Sequence, residues 1–168
     1  MSQQSPIFSL SNLDENSLRE IVDRKFHFLR NWNDFVIAHG RPLNESELLD
    51  AYALGLKKPE NIYVCALPTI PLPDSLGDAL LFESFESLRV WPIIDGLAAY
   101  YINSIAVRTV AEEFRYAKAK ALAYVASIER VGFREFLEEH ISICRKDGLK
   151  ASPFEIDAEV KAWKICGG

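Results

Sequence analysis

The chain has 168 residues, with 24 Asp and Glu against 19 Lys and Arg for a net charge of −5, and about half of it is apolar. That is enough chain for one domain with a real core and too apolar for disorder, and the acidic balance argues against a phosphate-backbone partner. Residues 1–91 hold 13 acids and 8 bases, a net of −5, while residues 92–168 hold 11 of each, so neither half is a basic patch.

Cys65, Cys144 and Cys166 are odd in number and widely spaced, without a Cys-x-x-Cys. That usage points to unpaired thiols in a reducing, cytoplasmic setting. The first residues lack the basic start and apolar run of a secretory signal. The most apolar stretch, Ile93 to Val107, is too short to span a bilayer and contains Asp95 and Asn103.

In chain order, residues 1–12 are polar and read as a flexible arm, with a single domain over 13–168. From Asp14 to His39, Leu18, Ile21, Val22, Phe26, Leu29, Trp32, Phe35 and Val36 recur at helical spacing, and Gly40 with Pro42 ends the run. Asn44 and Glu47 form a capping signature for a second helix. Ile62 to Leu67 suits a short strand, but no partner strand is evident, so it reads as an extended segment leading into Pro68, Pro71 and Pro73. That Pro-rich segment could be polyproline-like and dock an SH3-type domain, or lie along the protein's own surface, which its apolar positions favour.

A helical pattern resumes near Ser75 with Leu76, Leu80, Leu81, Phe85 and Leu88. Another runs from Pro92 towards Ile105 and either bends or continues into a long Ala-rich helix ending at Gly132. Phe133 to Gly148 is amphipathic, with early Glu and late Arg and Lys complementing the helix dipole. The last helix opens with Ser152 as N-cap, Pro153 at the first position and Glu155 completing a capping box. Ile156, Val160 and Trp163 are its expected inner face. The fold expected from these patterns is all-α, a single-domain helical bundle of about six or seven helices with a long central helix.

Along that central helix Val107, Val110, Phe114, Ala117, Ala121, Tyr124, Ile128 and Val131 are spaced alternately three and four, a heptad seam. The seam fits a homodimer or partner-helix interface, and it equally fits the middle of a bundle. Leu122, Val125 and the alanines broaden the stripe and tilt it towards core.

Chemistry is sparse. The sequence holds no nucleophile elbow, dinucleotide fingerprint or P-loop, and no catalytic residue, metal ligand or cofactor is assigned. His39 suits a helix C-terminus, His27 an exposed position, and His140 a satisfied place on an apolar face. Glu138, Glu139 and His140 lack the Glu-x-x-His spacing of a di-metal site. Glu135 and Glu138 have the Glu-x-x-Glu spacing of a magnesium-dependent hydrolase, and also that of a solvated face. Asp95, Tyr100, Tyr101, Asn103 and Arg108 are the polar groups expected nearest the core, with Arg108 as anion clamp if a ligand pocket forms there. The terminal Gly-Gly resembles ubiquitin-like tails, but Gly167 is better explained as a helix stop. The expected function is a cytoplasmic interaction or scaffold-type protein, self-associating through a helical face. The alternatives are a binder of a small hydrophobic or anionic ligand, and a metal-dependent hydrolase.

Overall fold

The computed structural model describes residues 15–70, 93–94, 97–147 and 149–167. Five α-helices appear among them: α1 (Glu15–His39), α2 (Glu45–Ala53), α3 (Arg115–Val131), α4 (Phe133–Asp147) and α5 (Pro153–Ile165). They are joined by five strands: β1 (Arg41–Pro42), β2 (Tyr63–Leu67), β3 (Ile93–Ile94), β4 (Ala98–Tyr100) and β5 (Ser104–Arg108). The strands form one mixed sheet in the order β1-β2-β5-β4-β3, parallel only between β2 and β5. The fold is therefore α/β rather than an all-α helical bundle, and the long helix starts at Arg115, not near Ile105. The expected helix around Leu76 to Leu88 and the N-terminal arm lie outside the described residues.

Ile62–Leu67 does have a partner strand, Ser104–Arg108, whose apolar run also fits a helical pattern in the sequence. Ile105 and Val107 are β-branched and alternate with Ser104 and Ala106, which suits a strand. Both faces of β5 are buried, so no polar alternation marks it. Its pairing with β2 joins positions some 40 residues apart, as in Val64↔Ile105 and Ala66↔Val107.

Several local signals elsewhere hold. The Asn44 capping box is complete, with Glu47 N–H donating to Asn44 Oδ1 at 2.8 Å and Asn44 N–H donating to Glu47 Oε1 at 2.9 Å. Gly40 ends α1, but its φ is not the reason. A Cβ there would lie 2.5 Å from Val64 O and 2.6 Å from Val36 O, so glycine lets the helix end press on β2. Gly132, at φ 102°, links α3 directly to α4.

Register puts Val64, Ile105 and Tyr100 on one face of the sheet. On that face Tyr100 stacks on Tyr124 of α3 at 4.2 Å, and Phe136 and His140 of α4 close around Tyr124. Helix α1 joins α4 through Phe26 against Phe133. Asn33 on α1 fastens the β4–β5 turn. Its Oδ1 accepts from Ile102 N, Asn103 N and Ser104 Oγ, and its Nδ2 donates to Asn103 Oδ1.

Candidate interaction face and charged cleft

The seam expected as an interface divides. Val107 is buried on β5. Val110 and Phe114 lie before the helix and are exposed. Ala117, Ala121, Tyr124 and Ile128 are buried in the chain's own core, on α3.

Among the described residues α2 exposes Leu49 and Tyr52, and a longer exposed apolar helix face lies on α5. Phe154, Ala158 and Ala162 point inward, with Ala158 and Ala162 at most 1% exposed. The small residues let α5 settle closely against α3. Ile156, Val160 and Trp163, the expected inner face, are 49%, 48% and 60% exposed. Trp163 lies against Tyr116 of α3, ring centroids 5.3 Å apart, which extends the patch.

The rotation of α5 is fixed by a polar lock. Tyr124 Oη donates to Glu155 Oε1, and Lys120 Nζ lies 2.9 Å from Glu155 Oε2. Burial disfavours the Lys120 ammonium, but the Glu155 hydrogen bond outweighs it and raises its pKa. Burial pushes the Tyr124 phenol well above its usual value. Ser152 sits at the N-cap as expected, yet its side chain makes no cap hydrogen bond. Its hydroxyl lies 2.7 Å from His140 Nδ1 instead, and Glu155 is engaged with α3, so the capping box does not form.

His140 and Ser152 together resemble a Ser–His hydrolytic dyad, but both are buried, at 2% and 0% exposure, which leaves a substrate no approach. His140 stacks on Phe136 and is held neutral, its pKa down at about 3, by burial and then by nearby Lys25. Burial also pushes the Lys25 amine well below its usual value.

A cleft of about 510 Å³ opens between α2 and the start of α3, lined by Arg41, Asn44, Glu47, Asp50, Arg115 and Lys118 and also by Glu112 and Glu113. Glu47, 4% exposed, takes Arg41 at 2.8 Å and Lys118 at 3.0 Å. Burial alone would raise its carboxyl pKa, but hydrogen bonds from Arg41, the Asn44 backbone and Lys118 outweigh that and bring it down to about 2. Arg115 grips Asp50 with two hydrogen bonds, at 2.6 and 2.9 Å. The sequence offered one local signal for this cleft, the Asn44–Glu47 box; the cations come from β1 and α3 and meet it only in the fold.

Of the five polar residues expected at a ligand pocket, the four that are described are each held by different neighbours. Asp95 lies outside the described residues. Tyr100 is stacked in the core, and burial raises its phenol pKa well above the usual value. Tyr101 is buried on the other side of the β4 end, with no hydrogen bond to its hydroxyl among the described residues. Asn103 is tied to Asn33 and to Asn61 O, and Arg108 Nε donates to Pro68 O at 3.4 Å. Glu135 and Glu138 are exposed, Glu138 lies 3.5 Å from Arg134 one turn back, and no three His, Cys, Asp or Glu among the described residues converge on a metal position. No helix of the described residues is long and apolar enough to cross a membrane.

The chain matches no protein-family model, no curated protein and no solved structure.

Proposed function

We propose that the protein is a cytoplasmic interaction or scaffold-type protein that associates, with itself or with a partner helix, through the outer face of α5. The observation behind this reading is the run Ile156, Val160, Trp163: three large apolar side chains at helical spacing, about half exposed, on a helix whose other face is fully used. Scattered exposed apolar residues are ordinary, but an aligned stripe with an adjoining aromatic is the form taken by helix-docking surfaces. Nucleic acid and membrane are not expected partners, given the acidic balance.

The test is photo-crosslinking in cells with benzoylphenylalanine in place of Val160, and of exposed Glu60 as control. Discrete protein adducts from position 160, absent from position 60, are expected. No adduct from position 160 refutes the reading.

A second reading is favoured by the cleft: a small anionic ligand held by Arg115 and Lys118, whose ion pairs leave some N–H donors uncommitted. Calorimetric titration with inorganic phosphate and with citrate tests it. Binding that Lys118→Gln abolishes supports the cleft; silence at millimolar anion disposes of it.

A further inference from the structure

Granting that the α5 face is an interface, we infer that its occupant is a second copy of this chain, with the two α5 helices antiparallel about a two-fold axis near Val160. The inference deepens the proposed function by naming the partner, and it rests on the order of side chains along the helix.

Read as a heptad, α5 places Pro153 and Val160 at one seam position, Ile156 and Trp163 at the other, and Asp157 and Lys164 together on one flank. In an antiparallel pair like flanks meet. Asp157 then faces Lys164 of the second copy, and Lys164 faces Asp157 of the second copy, so one surface supplies both halves of two symmetric ion pairs. That is the self-complementarity an isologous contact needs. Along the seam an antiparallel pair sets one seam position against the other, so Val160 of each copy packs beside Trp163 of the second. Bulk is thereby even along the contact.

Parallel pairing fits less well. It sets Trp163 against Trp163 and Val160 against Val160, a tapered seam. Its charge pair would need Glu159 for Lys164, but Glu159 already lies 3.8 Å from Lys120 of its own chain. Asp157 has Lys161 3.1 Å from its buried Oδ2, so with its side chain about a third exposed it is the other carboxylate oxygen that meets a further cation.

The extent of the face sets the strength. Thirteen residues make a helix about 20 Å long. With Tyr116 beside Trp163, such a face covers on the order of 400 Å² per copy, half of the ~800 Å² per partner found in stable specific complexes. The dimer is thus a weak, concentration-dependent one.

Sedimentation equilibrium of the purified full chain, from low to several hundred micromolar, is the test. Wild type is expected to dimerise reversibly. Asp157→Lys, which opposes lysine to lysine twice, is expected to weaken the dimer about tenfold, and Trp163→Ser to abolish it. The double swap of Asp157→Lys with Lys164→Asp is expected to restore wild-type affinity. Circular dichroism of each variant confirms an intact fold, since all three positions are at least partly exposed. A wild type that stays monomeric throughout overturns the second-copy proposal. A dimer weakened by Glu159→Lys but not by Asp157→Lys overturns the antiparallel arrangement. If position 160 crosslinks in cells to a different protein while the purified chain is monomeric, the second copy falls and the interaction face stands; if it crosslinks to nothing, both fall.

Discussion

Acidification from pH 8 to pH 5 is expected to destabilise this protein through His140, with Lys25 acting in the same direction. The imidazole is 2% exposed, stacked on Phe136 at 5.3 Å and bonded to Ser152 Oγ at 2.7 Å. Its folded pKa, down at about 3, lies below its unfolded value of about 6.5. The unfolded chain therefore binds this proton first, and stability is lost as pH falls below about 6.5, until the folded value is reached near 3. At pH 5 only the unfolded state is substantially protonated, which works out to about 2 kcal/mol lost relative to pH 8. Against a typical total of about 5–15 kcal/mol that is a large fraction.

The assay is urea unfolding at half-unit steps of pH, in wild type and in His140→Gln. Gln offers Ser152 a hydrogen bond but does not titrate. With a slope of about 2 kcal/mol per molar urea, the wild-type midpoint should fall about 1 M further than that of the variant between pH 8 and pH 5. Lys25, also depressed by burial, contributes with the same sign in both proteins, so the difference between them isolates His140. Glu47 does not intrude. Its folded pKa is lowered to about 2, so its contribution is present above about 4.5 and is lost only as pH falls from there towards 2. Equal pH slopes in wild type and His140→Gln would refute the assignment of a buried, neutral imidazole.

Two further substitutions probe how the sheet is held. Asn33→Ala removes one side chain that makes four hydrogen bonds to Ile102, Asn103 and Ser104, and strands the fully buried Ser104 hydroxyl; a loss of about 3 kcal/mol is expected by urea unfolding, and a loss under 1 kcal/mol would show that the turn does not depend on α1. Gly40→Ala pushes a methyl group against the backbone oxygens of Val64 and Val36, neither of which can swing aside; about 2–3 kcal/mol of overpacking is expected, whereas a neutral or stabilising result, as for an ordinary helix-end glycine, would mean that α1 does not press on β2.

Several elements were legible in the sequence because their signals are short-range. The long periodic run from Asp14 and the stop at Gly40 mark α1. The Asn44–Glu47 box marks α2, and Pro153 after Ser152 marks the start of α5. The end of α3 at Gly132 follows from a residue that tolerates φ 102°. Each depends on groups within one or two helical turns, so the local order of residues suffices to specify it. A satisfied place for His140 on an apolar face was legible for the same reason, since Leu137, Ile141 and Cys144 surround it in the periodicity.

What the fold alone decided depends on partners far along the chain. Ile105–Ala106–Val107 carries an apolar run compatible with either a helix or a strand buried on both faces, and its pairing with β2 resolves the choice. Helix α5 offers two apolar faces, one of alanines with Phe154 and one of Ile156, Val160 and Trp163. Hydrophobicity alone selects the bulkier face for the core. Packing against the Ala-rich α3 selects the smaller one, because alanines let the two backbones approach and Glu155 can then reach Tyr124 and Lys120. The hydroxyl of Ser152 turns from its cap to His140, 12 positions earlier, and Glu47 gathers cations from β1 and α3. Sequence by itself determined where most helices begin and end, since caps and periodicity act over a few residues. Tertiary structure decided the sheet, the inward face of α5 and the charged cleft, because each is a choice between locally equivalent options settled by side chains that meet only once the chain has folded.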